Sequence, residues 1–193
     1  MTRIFALAPL AVLLAAPAHA DWKLANDTSR VSFVTTKAGQ IAEAHTFHSL
    51  SGMIDGSGNV TVDIDLTSVD TMIPVRDERM REVLFQTGQF PKATLTAKVD
   101  ADAIADMRDG QAHEMSVDGM LAMHGKTLPV TLDVLVSKLR RTRIVVATMK
   151  PVIVTAAQLD LADGVEELRN LAGLPSISPA VPVSVVLTFD DSL

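Results

Sequence analysis

The sequence predicts an all-β fold, a single antiparallel β-barrel of about eight strands with one or two short helices. Three observations carry this. Apolar and polar residues alternate over long stretches, the period of a strand with one dry and one wet face. The links between those stretches are short and contain Gly, Asp and Asn, as antiparallel neighbours require. After the first 20 residues, no repeat, low-complexity tract or Pro-, Gly- or Ser-rich linker divides the chain.

Read from the start, Arg3 gives a positive charge, Ile4 to Ala16 is an almost unbroken apolar run, and Ala18-His19-Ala20 supplies small residues for cleavage. This is the pattern of a secretory signal peptide over residues 1–20, with a mature chain beginning at Asp21 and an exported location. The apolar run is shorter than the roughly 20 residues needed to cross a bilayer. The mature domain, 21–193, is then long enough to fold around one core without staples, and the chain has no cysteine to make any. Its net charge of −6 becomes −7 without Arg3, and no long basic stretch follows, which argues against nucleic acid as a partner.

Strand signals then follow in order. Val31 and Phe33 alternate weakly, and Gly52 to Ile54 leads through the turn Asp55-Gly56-Ser57-Gly58-Asn59 into Val60, Val62, Ile64 and Leu66. Val75 to Phe85, with its charged run, resists a strand reading. Leu95, Ala97 and Val99 form another strand, and Met115, Val117, Leu121 and Met123 lead through His124-Gly125-Lys126 into Leu128, Val130, Leu132, Val134 and Val136. The Ile144 to Met149 segment continues past Pro151 to Val154. Asp163 to Leu171 has apolar residues one helical turn apart and stops at Gly173, and Val181 to Phe189 is the last clean alternation. Such strands must close on themselves or pair as two sheets, and closure removes the exposed edges. With about eight of them the interior either fills with side chains or holds one small ligand. Eight methionines after Met1 suggest soft walls for an apolar guest, although Met also fills gaps in solid cores. If the dry faces turn inward, Ile64, Val117, Leu121, Met123, Leu132 and Val134 line a tail site, while Asp63, Thr131 and Asp133 face water.

Groups for catalysis are sparse: there is no cysteine nucleophile and no Gly-x-Ser-x-Gly elbow. His45 and His48, with Glu43 upstream, come nearest to a metal cluster, but residues three apart on a strand point to opposite faces, so no metal and no cofactor is expected. Arg76-Asp77-Glu78-Arg79-Met80-Arg81-Glu82 is richer. On a helix Asp77 faces Arg81, and Arg76 and Arg79 share a face beside Met80, where two guanidinium forks could hold an anionic headgroup. A solvated lid helix with ordinary surface ion pairs is the simpler reading.

The chain carries, in order, Trp22, Ser29-Arg30-Val31-Ser32-Phe33, Phe47 with Ser51-Gly52-Met53-Ile54, Val69-Asp70-Thr71, Arg76-Asp77 with Met80-Arg81 and Phe85, Phe90-Pro91, Gly119-Met120-Leu121, His124-Gly125 and Pro129-Val130. On these residues, from Trp22 to about Phe189, it resembles the YceI-like lipid- and polyisoprenoid-binding family of exported bacterial proteins. Order and spacing carry the resemblance. The chain departs from the family in having Arg79-Met80 where His-Leu is more usual, and in its Leu168 to Leu174 segment. The resemblance implies an extended lipocalin-like barrel whose interior accommodates an isoprenoid chain, with no established catalysis. Phe33, Phe47, Met80 and Phe85 join the apolar lining on that basis, and Arg76 and Arg79 stand as headgroup residues.

The leading expectation is therefore a periplasmic, non-enzymatic carrier of a polyisoprenoid, prenyl quinone or prenyl phosphate, with transient membrane contact for loading and with homodimerisation open. The rival readings are an enzyme acting on a lipid-like substrate in the same cavity, through Arg76, Asp77 and a histidine, and a stress-related interaction protein with a solid barrel.

Overall fold

The structure, a computed structural model, describes residues 21–191; residues 1–20, read from the sequence as a signal peptide, lie outside the described residues. Twelve strands run β1 (Trp22–Leu24), β2 (Arg30–Lys37), β3 (Ile41–Phe47), β4 (Leu50–Ile54), β5 (Asn59–Asp65), β6 (Val69–Asp70), β7 (Lys92–Lys98), β8 (Ala112–Met123), β9 (Lys126–Arg140), β10 (Arg143–Thr148), β11 (Val152–Thr155) and β12 (Ala180–Asp191). The helices are α1 (Pro74–Arg79), α2 (Ala101–Ala105) and α3 (Ala162–Leu171). All strand pairs are antiparallel, and the ladder β1-β4-β5-β7-β8-β9-β10-β12 closes because β12 also pairs β1. The result is a closed eight-stranded barrel.

Extra strands come from bends rather than from new layers. β1 and β2 lie end to end along β12, with Trp22 opposite Asp191 and Phe33 opposite Val183, and β4 and β3 pair them in turn. β11 likewise follows β10 along β12. The barrel is thereby lengthened at one end, here called upper, where β2, β3, β6 and β11 lie and where α1 and α3 sit.

Local chemistry explains the joins. Gly58, at φ +83°, turns the β4–β5 hairpin so tightly that a Cβ would sit 2.1 Å from the Val99 carbonyl oxygen. His124 and Gly125, both at positive φ, form the two-residue link between β8 and β9. Asp65 ends β5 by accepting a hydrogen bond from the Thr67 backbone N–H at 2.9 Å, so Leu66 leaves the strand for a short 3-10 turn. α1 runs into a π-turn over Met80–Leu84, closed by the Phe85 N–H on the Met80 carbonyl at 2.9 Å. α3 packs on that turn at Gly164, where a Cβ would meet Leu84 Cα at 3.1 Å.

The inner faces divide at one level. Below it, Val62, Val136, Ile144, Leu187 and Phe189 are buried, and α2 plugs the lower end with Ile104, beside Trp22 and Met107. Lys138 is buried there too, its Nζ donating to the Ala105 carbonyl at 2.8 Å and the Ile104 carbonyl at 3.3 Å, 5.9 Å from the centre of the Trp22 ring. Above that level the inward side chains surround a void.

Candidate functional site

The void has a volume of about 420 Å³ and an almost wholly apolar wall. Each strand contributes only its upper inward residues: Val181, Val183 and Val185 of β12, but neither Leu187 nor Phe189; Val130 and Leu132 of β9; Ala93 and Leu95 of β7; Leu121 and Met123 of β8. The lid adds Met80, Leu84 and Phe85 from the π-turn and Val165 and Leu168 from α3. Phe33, Phe47 and Phe85 form a chain of tilted rings with centroids 5.2 and 5.8 Å apart. A cavity of this size and lining suits an elongated apolar ligand.

Of the apolar residues singled out by sequence, Phe33, Phe47, Ile64, Met80, Phe85, Leu121, Met123 and Leu132 line the cavity. Val117 and Val134 do not. They have the right parity but lie one or two inward positions lower, packed in the cluster with Met107 and Val136. Parity fixes the face of a strand and not the height along it. The idea of methionine walls also needs correction. Among the described residues only Met80 and Met123 line the cavity, while Met53, Met72, Met120 and Met149 are exposed, and Val, Leu and Phe make up most of the apolar wall.

One end of the cavity is polar. Lys37, Glu43, His45, Arg76 and Arg79 all line it. Glu43 Oε2 accepts from Lys37 Nζ at 2.6 Å and from Arg76 Nη1 at 2.8 Å. Its carboxyl is held below the ordinary range, first by the Lys37 hydrogen bond, with burial opposing. Arg76 Nη2 donates to the Thr71 carbonyl at 2.6 Å, and Asp77 accepts from the Thr71 backbone N–H at 2.8 Å. Arg76 is therefore tied across to β3 and into the cavity wall, rather than belonging to a solvated surface helix. The exposed lining residues Ile73, Val75 and Ala172 mark the mouth.

His45 and His48 are held apart, His45 on β3 and His48 just past its end. His45 is buried in the wall, with Nε2 2.9 Å from Thr35 Oγ1, whereas His48 is exposed and bonded to Asp70 Oδ2 at 2.8 Å. Among the described residues, no group of three His, Cys, Asp or Glu side chains is placed to hold a metal. Burial, and secondarily Arg76, push the His45 imidazole below its usual value of 6.5. His124 lies against the Phe90 ring, centroids 4.4 Å apart, outside the cavity lining.

This combination of a lengthened eight-stranded barrel, a helical lid and an apolar interior has relatives. The family model described as the YceI-like domain matches residues 22–189. The chain belongs to the YceI-like family. A solved polyisoprenoid-binding domain from Saccharophagus degradans, implicated in plant cell wall breakdown, is 38% identical, with a TM-score of 0.86 over 88% of this chain and 98% of that one. Burkholderia cenocepacia BcnA shares the fold at 14% identity, with a TM-score of 0.63 over 86% of this chain and 98% of its own. A Campylobacter jejuni YceI protein does so at 15% and 0.57, over 77% and 85%. No curated protein matches the chain. Within this YceI-like domain, sequence reasoning found no alternation signal for β3, although it treated His45 and His48 as strand residues, and it missed the part of Glu43 and His45 in the cavity wall. The signal was present as the inward set Glu43, His45 and Phe47, but two of those three are polar.

Proposed function

We propose that this YceI-like domain is a periplasmic carrier that encloses the tail of an isoprenoid lipid in its upper half. The observation that supports it most is the apolar cavity under the α1–α3 lid, set in a barrel 38% identical to a polyisoprenoid-binding domain. Burying each methylene is worth about 0.8 kcal/mol, so a few isoprene units outweigh the cost of ordering the tail. Affinity then comes from the length of tail enclosed, and selectivity from the polar end at Arg76 and Arg79. Loading from a lipid surface fits the exposed Met72, Ile73 and Val75 beside the mouth. Residues 1–20 direct export and are removed, leaving Asp21 as the first residue; amino-terminal sequencing of the periplasmic form checks this, and a start inside the apolar run contradicts it.

The carrier reading is tested by mass spectrometry of an organic extract of the protein purified from its native periplasm. A stoichiometric prenyl lipid is the expected result, and an extract without lipid after mild purification contradicts it. One contact favours a second reading. Thr35 Oγ1 against His45 Nε2 is the pairing of a nucleophile with its base, which an enzyme would use. The Nδ1 side of His45, however, carries no orienting carboxylate among the described residues. Turnover of a prenyl ester that is lost in Thr35→Val would support that reading.

A further inference from the structure

The cavity has a floor that β5, β9, β10 and β12 define together. On β12 Val185 lines the cavity and Leu187, the next inward residue, does not; on β9 the change falls between Leu132 and Val134, on β5 between Ile64 and Val62, and on β10 between Thr148 and Val146. The side chains just below are packed. Val62, Val134 and Leu187 are buried, and Leu187 lies opposite Val146 in the β10–β12 ladder. Ile144 and Phe189, further down, are buried as well, so the floor rests on solid core. On β2 the lining runs from Val31, opposite Val185, up to Lys37 at the polar end. That stretch is about 20 Å long at about 3.3 Å per residue, and a strand tilt of about 40° makes it about 15 Å along the barrel axis. One isoprene unit adds about 5 Å of extended chain, at about 1.5 Å per bond. The depth therefore takes about three units. The volume of about 420 Å³ gives the same answer, since at about 30 Å³ per water-sized group it holds about 14 heavy atoms, close to the carbon content of three units.

Resting on the carrier reading, we propose that Leu187, with its cross-strand partner Val146, is a length stop that limits the enclosed tail to about three isoprene units. The end of the tail meets Leu187, and any further units stay outside the mouth rather than passing deeper into the barrel. Units outside remain in water and add no burial, so affinity climbs with tail length only until the floor is reached. The stop makes the protein select by length among tails of identical chemistry.

The test measures dissociation constants of prenyl alcohols of two, three, four and five isoprene units on the full mature chain, stripped of lipid. In the wild type the third unit tightens binding by about tenfold or more, and the fourth and fifth change it by about twofold or less. Leu187→Ala lowers the floor and moves the plateau to four units. Val185→Phe fills the space just above the floor and moves it to two, which keeps the test open should Leu187→Ala fail to fold. Phe189→Ala, one inward position below Leu187, leaves the plateau at three and shows that the shifts do not follow from a weakened core. Affinity that keeps rising through five units in the wild type, a plateau that neither Leu187→Ala nor Val185→Phe moves, or one that Phe189→Ala moves as far as Leu187→Ala does overturns the length stop and leaves the carrier standing. If no alcohol binds the wild type, the carrier reading itself fails and takes the stop with it.

Discussion

The upper and lower halves of this barrel are built from the same strands with the same alternation, yet one is hollow and the other solid. Along β12, Val183 and Val185 face the cavity, while Leu187 and Phe189, two and four positions beyond Val185, are buried among neighbours. The lower half is filled by large side chains, by α2 and by the aliphatic stem of Lys138. The upper half is widened by the bends that split β1 from β2 and β10 from β11, and roofed by α1, the π-turn and α3. Period-two patterning builds a barrel, and the bends and helices decide which part of it holds a ligand.

The largest expected difference between the halves lies in truncation. Phe189→Ala, in the packed half, should cost about 3–5 kcal/mol in urea unfolding of the mature chain. Leu121→Ala, beside the void, should cost about 2 kcal/mol or less, because part of that side chain has no partner to lose. Equal costs would erase the distinction.

A smaller effect is expected at the lower plug. Lys138→Met should cost about 1–3 kcal/mol, since it leaves the Ile104 and Ala105 carbonyls without their buried donor. Hydrogen exchange in α2 should accelerate while the affinity of the cavity for a prenyl probe stays the same. A loss of affinity in this variant would show that the halves are coupled.

The smallest effect is in pH. His45 has a depressed basicity in the folded chain, so on acidification the unfolded chain takes up a proton near the usual value of 6.5 while the folded one does not. The stability His45 contributes is present above that pH and is lost as pH falls below it, until the lower folded value is reached. Denaturant midpoints between pH 7.5 and 5 should fall more steeply for the wild type than for His45→Phe. Parallel curves would contradict the assigned direction.

These differences show what could be read from the sequence. β5, β9 and β12 were legible because their inward positions are apolar, with Lys138 at the lower end of β9 the exception, and the antiparallel barrel followed from them. The alternation of β3 was illegible for a local reason: Glu43 and His45 occupy inward positions that a core would fill with aliphatic side chains, so the pattern is broken where the cavity is polar. α2 is five residues long and shows only its cap, Asp100, which accepts from the Ala103 N–H at 3.0 Å. Ile144 to Val154 reads as one strand, but the structure breaks it between Thr148 and Val152. Val117 and Val134 were assigned by parity, which contains no information on height, and so fell in the wrong half. Arg76 was visible as a charge on a helix, whereas its partners Glu43 and Thr71 come from the fold.

The contrast is tested most directly by adding the same volume to each half and reading stability and ligand capacity together. Leu121→Phe should leave the urea midpoint of the lipid-free chain close to that of the wild type and reduce the amount of prenyl hydrocarbon bound, because a hollow site accepts the ring at the expense of the tail. Val134→Phe should lower stability by about 1–3 kcal/mol through overpacking and leave the bound amount unchanged under conditions where the chain remains folded. If Leu121→Phe destabilises as much as Val134→Phe and leaves ligand capacity intact, the upper half is a packed core and the account is wrong.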